Sequence, residues 1–194
     1  FAAYGEDKAF KRDLDMAKSL LAEAGYPDGF DIELSYPTFT YQGINMETNA
    51  QKIQSDLAEV GINVTLRPGE LQVSLEEYRN GQQGFAYWFW GPDILDPVDS
   101  LSFVPGGKVA SERAHWNVEG ADADFLALIE QAKVESNADA RLEIFGQIQD
   151  YLQQNGPWAP FLQNDTQVAY RANLQGYVLH PSWTLDVSLL SRAE

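Results

Sequence analysis

Residues 30–66 read FDIELSYPTFTYQGINMETNAQKIQSDLAEVGINVTL, and the succession of patterns in this stretch decides the fold. Phe30-Asp31-Ile32-Glu33-Leu34-Ser35-Tyr36 alternates apolar and polar side chains with period two, the signature of a strand, and Pro37 ends it. After a polar loop, residues 46–60 carry Ala50, Ile53, Leu57 and Val60 on one helical face, with Gly61 as the cap. Ile62-Asn63-Val64-Thr65-Leu66 alternates again and closes at Pro68-Gly69. Strand, helix and strand in close succession predict a right-handed βαβ unit with parallel neighbours.

Working outward, residues 13–24 place Leu14, Ala17, Leu20, Leu21 and Ala24 on one helical stripe, with Asp13 as N-cap and Gly25 and Pro27 as the stop. A further helix is expected at 73–80, ending at Gly81. The apolar run Gly84-Phe85-Ala86-Tyr87-Trp88-Phe89-Trp90 has strand length and predicts a strand buried on both faces. Residues 91–121 show few periodic signals, and irregular stretches of that length are usually functional or covered by a partner. Helices follow at 122–135 and 138–155, the second with Arg141, Phe145, Ile148 and Leu152 on one stripe and Gly156-Pro157 at its end. Short apolar pieces at 158–162, 166–170, 176–179 and 185–190 read as strands separated by Gly176 and Pro181. The class is α/β, a mixed and largely parallel sheet flanked by helices, in one domain spanning 1–194.

Composition narrows the function classes. The chain carries 13 Lys+Arg against 29 Asp+Glu, a net charge of -16, which argues against a nucleic-acid-binding face and against docking on an anionic membrane. A hydrophobic fraction of 44% supports a real core rather than disorder. Cysteine is absent, so disulfides, thiolate metal sites and cysteine nucleophiles are excluded. No apolar run approaches the ~18 residues of a membrane-spanning helix. The sequence opens on Phe1 without Met or a signal peptide, as expected of a processed chain or a piece of a longer one.

Catalytic signatures fail in turn. Phosphate loops, dinucleotide fingerprints, nucleophile elbows and zinc-protease helices are all missing. His115 and His180 stand far apart and read as loop or surface imidazoles. Asp93, Asp96 and Asp99 recur at spacing three but lack the grammar of a calcium loop. Asp96, before Pro97, and Asp99 read as turn caps. Asp93 differs through its neighbours. Tyr87-Trp88-Phe89-Trp90-Gly91-Pro92-Asp93 runs from a strand into a loop bearing one carboxylate, where a parallel sheet binds its ligands. Aromatic walls and one anion suit a ligand with an apolar body and a cationic head. The competing reading, that these aromatics are simply core, stands beside it. The acidic run Glu119 to Asp124 reads as favouring the N-terminus of the helix that follows.

Four ordered strings carry a resemblance. Residues 17–30, AKSLLAEAGYPDGF, resemble the A-K-x-L-L-x-E-A-G-Y-P-x-G-F segment of the extracellular solute-binding proteins of family 5, the peptide, nickel and opine receptors of ABC importers. Residues 53–62, IQSDLAEVGI, are similar to that family's I-Q-x-x-L-x-x-I-G-I, and residues 90–97, WGPDILDP, to its W-x-x-D-Y-x-D-P. Arg141 to Leu152 followed by Pro157-Trp158-Ala159-Pro160-Phe161 resembles its R-x-x-x-y-x-x-x-Q-x-x-L and P-x-x-P-l segments.

The resemblance covers nearly the whole chain but only the C-terminal part of the family's mature protein. It implies one lobe of a two-lobed periplasmic binding protein, whose tail from about residue 158 packs towards the lobe made by the N-terminal region. It implies no enzyme and no cofactor. The partners would be a small solute, best a peptide, the ABC permease subunits and the missing N-terminal lobe, in the periplasm. The isolated segment is expected to bind ligand weakly or not at all, and to dimerise through exposed apolar surface.

In peptide-binding relatives the Asp of W-x-x-D pairs with the ligand's terminal ammonium and the Trp lines the pocket, which carries over to Asp93 and Trp90. Tyr87, Phe89 and Tyr78 are added as neighbours. Ile94 departs from the pattern, since an aromatic is usual there. An oligosaccharide or opine receptor on the same scaffold, and a hydrolase using Asp93 and Asp96, are the alternatives.

Overall fold

In a computed structural model, the described residues are 8, 10–162, 168–179 and 186–193. Asp13 caps α1 (Leu14–Glu23), its carboxylate accepting from the Met16 N–H at 2.9 Å. The stripe expected on this helix is only partly covered. Leu14, Ala17 and Leu21 are half-buried, whereas Leu20 and Ala24 are exposed.

The chain then turns at Gly29 into β1 (Phe30–Pro37), and after the two-residue strands β2 (Thr40–Tyr41) and β3 (Ile44–Asn45) enters α2 (Met46–Ala58). Asn45 caps α2 by accepting from the Thr48 N–H at 3.0 Å. Past Gly61 comes β4 (Ile62–Gly69), parallel to β1 in the register Phe30↔Ile62 through Pro37↔Gly69. The expected βαβ unit is therefore present, with its strands longer than the alternation alone marked. Leu34, Tyr36, Met46, Ala50, Val64 and Tyr87 form its core. Burying a side chain such as Leu34, fully shielded here, contributes roughly 1.5–3 kcal/mol.

Glu70 caps α3 (Leu71–Arg79), accepting from both the Gln72 and Val73 N–H groups. α3 covers the second face of β1, which explains why the strand's alternation ends halfway: from Leu34 to Pro37 every residue is buried.

The run 84–90 differs from expectation. It lies beside β1 but joins it at a single parallel bridge, Ser35↔Ala86, held by Ser35 N–H to Phe85 O at 3.0 Å and Tyr87 N–H to Ser35 O at 2.9 Å. Of the segment only Tyr87 is fully buried, and Trp90 at its end is 45% exposed. It is an extended edge, so its apolar character serves two different sets of neighbours rather than one buried strand.

The stretch read as irregular contains a 3₁₀ helix (Pro97–Phe103) and α4 (Lys108–Arg113). Asp122, capping through the Asp124 and Phe125 N–H groups at 2.9 Å, starts α5 (Ala123–Val134), as its acidic context suggests. Asn137 caps α6 (Ala138–Asn155). These helices and the 3₁₀ turn share a second core of Leu101, Val104, Phe125, Ile129, Ala132, Ile144, Phe145 and Ile148, in which Phe125 stacks on Tyr151 at 3.7 Å.

The tail departs most from its reading. Residues 158–162 and 176–179 form no strand, and Val187–Leu189 is a 3₁₀ turn; instead β5 (Leu174–Gln175) pairs antiparallel with β6 (Ser191–Arg192). Among the described residues, the apolar pieces there pair with no strand of the βαβ unit. The expected strands at 166–170 and 185–190 lie partly outside the described residues, and His180 lies wholly outside them.

Candidate ligand-binding site

The extended segment 84–90 runs parallel to β1, so Trp90 and the loop after it emerge at the carboxyl ends of the parallel strands, where open α/β sheets place their ligands. Along an extended chain successive side chains point to opposite sides, and here the two sides meet different surroundings. Tyr87 turns to the βαβ core, its hydroxyl accepting from Asn49 Nδ2 at 2.9 Å and its ring 5.4 Å from that of Phe161. Phe89 follows it, stacked on Tyr41 at 3.9 Å and tilted against Phe39 at 5.3 Å. Trp88 and Trp90 face the other way. Trp88 stacks on Tyr78 of α3 at 4.8 Å and donates from Nε1 to Gln83 Oε1 at 2.8 Å. Trp90 stands edge-on to Phe103 at 4.9 Å, and Phe103 in turn to Trp158 at 5.2 Å.

The five residues singled out by sequence are thus divided. Trp90 and Tyr78 share one side, Tyr87 and Phe89 the other, and Asp93 follows on the exposed loop. A cavity of about 370 Å³ opens beside Trp90, lined by Ile94, Leu95, Pro97, Asp99 and Phe103 among others. Its volume falls within the range of small-molecule sites and its wall is mostly apolar. Asp93 is not part of that wall.

The three loop carboxylates have different fates. Asp99 Oδ2 accepts the Asp93 backbone N–H at 3.1 Å, which ties the loop to the 3₁₀ helix. Asp96 caps that helix by accepting from the Val98 N–H at 2.8 Å, the turn role its sequence context suggests. It also receives both ends of the Arg141 guanidinium, at 2.6 and 3.0 Å, a fork-to-fork pair that joins the loop to α6. Among the described residues the Asp93 carboxylate accepts no hydrogen bond and forms no ion pair.

The Arg141 hydrogen bonds, followed by the Val98 N–H, hold the Asp96 carboxyl below its ordinary range. A carboxylate depressed on folding adds stability above its unfolded pKa, about 3.9, and loses it as pH falls through the lower folded value. Between pH 5 and pH 2 the wild type should therefore lose more stability than Asp96→Asn, measured as urea midpoints at each pH. Both side chains are partly solvated, 24% and 41% exposed, so added salt should shrink the difference. Identical pH slopes would remove the pair from the account.

Two participants escaped the sequence reading. Arg141 is 45 residues from Asp96, and in the sequence it reads as part of a helical stripe and of a family string, with nothing to link it to Asp96. Arg113, in the last turn of α4, sits in a stretch without periodicity, yet its guanidinium carbon lies 4.8 Å from the Tyr78 ring centre and 5.3 Å from that of Trp90.

An α/β lobe that opens an aromatic mouth at the carboxyl ends of its parallel strands is the architecture of a solute-binding lobe. The chain belongs to the bacterial extracellular solute-binding proteins, family 5 Middle, whose profile matches residues 1–111. It is 30% identical to di/tripeptide-binding protein 2 of Pseudomonas aeruginosa over 91% of its length, and 27% identical to haem-binding protein A of Haemophilus influenzae over 91%. Among solved structures it is similar to the ABC transporter-associated periplasmic binding protein DppA of Helicobacter pylori in complex with the peptide STSA, with a TM-score of 0.63, 27% identity and 75% of this chain covered. The match takes in 28% of that protein, and the chain spans about a third of the length of the curated relatives it matches.

Proposed function

We propose that this chain is the C-terminal lobe of a periplasmic receptor that captures short peptides and delivers them to an ABC permease. The observation that carries the reading is the carboxylate of Asp93, uncommitted among the described residues, three residues after a half-exposed tryptophan at the carboxyl ends of the strands. Asp96 and Asp99 are occupied in holding the loop, which leaves Asp93 to meet a cation. An ammonium there forms a charge-assisted hydrogen bond, and the apolar wall beginning at Trp90 takes the body of the ligand. Tyr87 and Phe89 support the loop from the core side, and Tyr78 supports it from α3.

The exposure of Trp90, Ile94, Leu95, Phe161 and Leu162 fits a cleft wall that a second lobe covers when ligand is bound. Capture makes and breaks no bond and calls for no cofactor. The hydrolase alternative is disfavoured because Asp96, its second carboxylate, is neutralised by Arg141.

Calorimetric titration of the full-length receptor tests this. Ala-Leu should bind at micromolar affinity or better, and N-acetyl-Ala-Leu about 30-fold or more weakly, since acetylation removes the cation. The peptide should be recovered uncleaved by mass spectrometry. Equal affinity for the acetylated peptide, or binding of maltotriose or haemin in place of peptide, would overturn the reading.

A further inference from the structure

Asparagine precedes glycine twice in this chain, at Asn80-Gly81 and at Asn155-Gly156. Such a pair carries its own chemistry: the glycine nitrogen, with no side chain beside it, reaches the carbonyl carbon of the asparagine side chain and closes a five-membered ring. The fold treats the two pairs differently. Asn155 is the last residue of α6, its Nδ2 donates to the Tyr151 carbonyl at 3.2 Å, and the Gly156 N–H donates to the Leu152 carbonyl at 2.9 Å. Asn80 lies just beyond α3, with φ -90° and ψ 8°. It is exposed, and its side chain makes no hydrogen bond among the described residues. The Gly81 N–H donates to the Tyr78 carbonyl at 3.1 Å, a bond of the closing turn, which opens more readily than the body of a helix.

Glycine at 81 is required by the fold. Gly81 has φ +66°, and the Gly81 and Gln82 N–H groups bond back to the Tyr78 and Glu77 carbonyls, the Schellman closure that calls for a left-handed residue at this position. A Cβ there would lie 2.5 Å from the Glu112 carbonyl oxygen and 2.8 Å from Cε1 of His115. The Gly81 carbonyl oxygen itself lies 2.9 Å from His115 Nε2. Gly81 is therefore the joint at which the end of α3 meets the end of α4, and the reactive pair is part of that joint.

We propose that Asn80 is a site of spontaneous deamidation, and that its reaction loosens the joint between α3 and α4. The Gly81 nitrogen gives up its proton and attacks Asn80 Cγ; the new N–C bond forms, the Cγ–Nδ2 bond breaks, and ammonia leaves. Water then opens the cyclic imide at one of its two carbonyls. The product is aspartate or, with the main chain rerouted through the side chain, isoaspartate. Either one places a carboxylate at the end of α3, where the helix carbonyls already concentrate negative charge. Isoaspartate also lengthens the main chain by one methylene next to Gly81, which has no room to shift against Glu112 and His115. None of this depends on the ligand.

The full-length receptor, folded and in urea, is held in warm, mildly alkaline buffer and followed over days by peptide mapping with tandem mass spectrometry. Conversion reads as a gain of one mass unit on the peptide that carries each asparagine. In urea, Asn80 and Asn155 should convert within about threefold of each other, since both precede glycine; in the folded receptor Asn80 should convert about tenfold faster or more, because α6 holds the other pair closed. Aged wild type should unfold at a lower urea concentration than fresh protein. Asn80→Gln aged alongside should not, since its longer side chain would have to close a six-membered ring; Asn80→Ser, which has no amide, serves if that variant does not fold. Equal conversion of the two folded pairs, or faster conversion of Asn155, overturns the assignment. So does an Asn80 that stays intact in the folded receptor over the time in which urea-unfolded protein converts it. Conversion of Asn80 with an unchanged midpoint overturns the loosening of the joint.

Discussion

Gly29→Ala should cost the protein about 3 kcal/mol or more of folding stability, read as a lowered urea midpoint. Gly29 has φ +78° and Gly61 φ +89°, and each immediately precedes one of the register partners Phe30 and Ile62. The two parallel strands therefore start side by side from two touching left-handed glycines. A Cβ on Gly29 would lie 2.0 Å from the Gly61 carbonyl oxygen and 2.3 Å from its carbon, and both are backbone atoms that cannot swing aside. The left-handed conformation alone costs an alanine about 1–2 kcal/mol. Separating the strand starts costs the rest, because β1 and α2 carry most of the first core. Gly43→Ala is the control: it has φ +81° but nothing within 4 Å of the added atom, so it should cost only the conformational part. Equal losses for the two variants would mean that the close approach of the strands does not matter.

Asp93→Asn should weaken Ala-Leu binding by about 30- to 100-fold, or roughly 2–3 kcal/mol, without a change in the unfolding midpoint. The substitution keeps the shape of the side chain and removes its charge. Only the Asp93 backbone N–H, bonded to Asp99, is tied into the loop, so the fold loses no contact of the carboxylate among the described residues. Asp96→Asn should behave in the opposite way, altering acid stability through Arg141 and leaving the ammonium's partner in place. Two aspartates three positions apart are thus separated by what each already touches.

Much of this arrangement is legible in the sequence, and its gaps have physical causes. The βαβ unit announces itself because β1, α2 and β4 each show their own period, and Asp13, Gly61 and Asp122 mark ends that the structure keeps. The run 84–90 misleads because unbroken apolarity has two origins: a strand buried on both faces, or an edge whose alternate side chains join two separate aromatic groups. Tyr87 and Phe89 answer to the core, Trp88 and Trp90 to α3, α4 and the 3₁₀ helix. In the tail, apolar spacing predicts strands, yet pairing depends on a neighbouring edge that local pattern does not encode. Trp90 and Asp93 are found through a motif. The packing of Arg113 on Tyr78 and Trp90 is not, because it arises between α3, α4 and the edge segment, which no spacing along the chain records.

A crystal structure of the full-length receptor grown with Ala-Leu would show where the peptide sits. The peptide ammonium should lie at hydrogen-bond distance from the Asp93 carboxylate, with the Trp90 ring against the ligand. A peptide seated elsewhere, with Trp90 and Asp93 meeting only solvent, would contradict this placement.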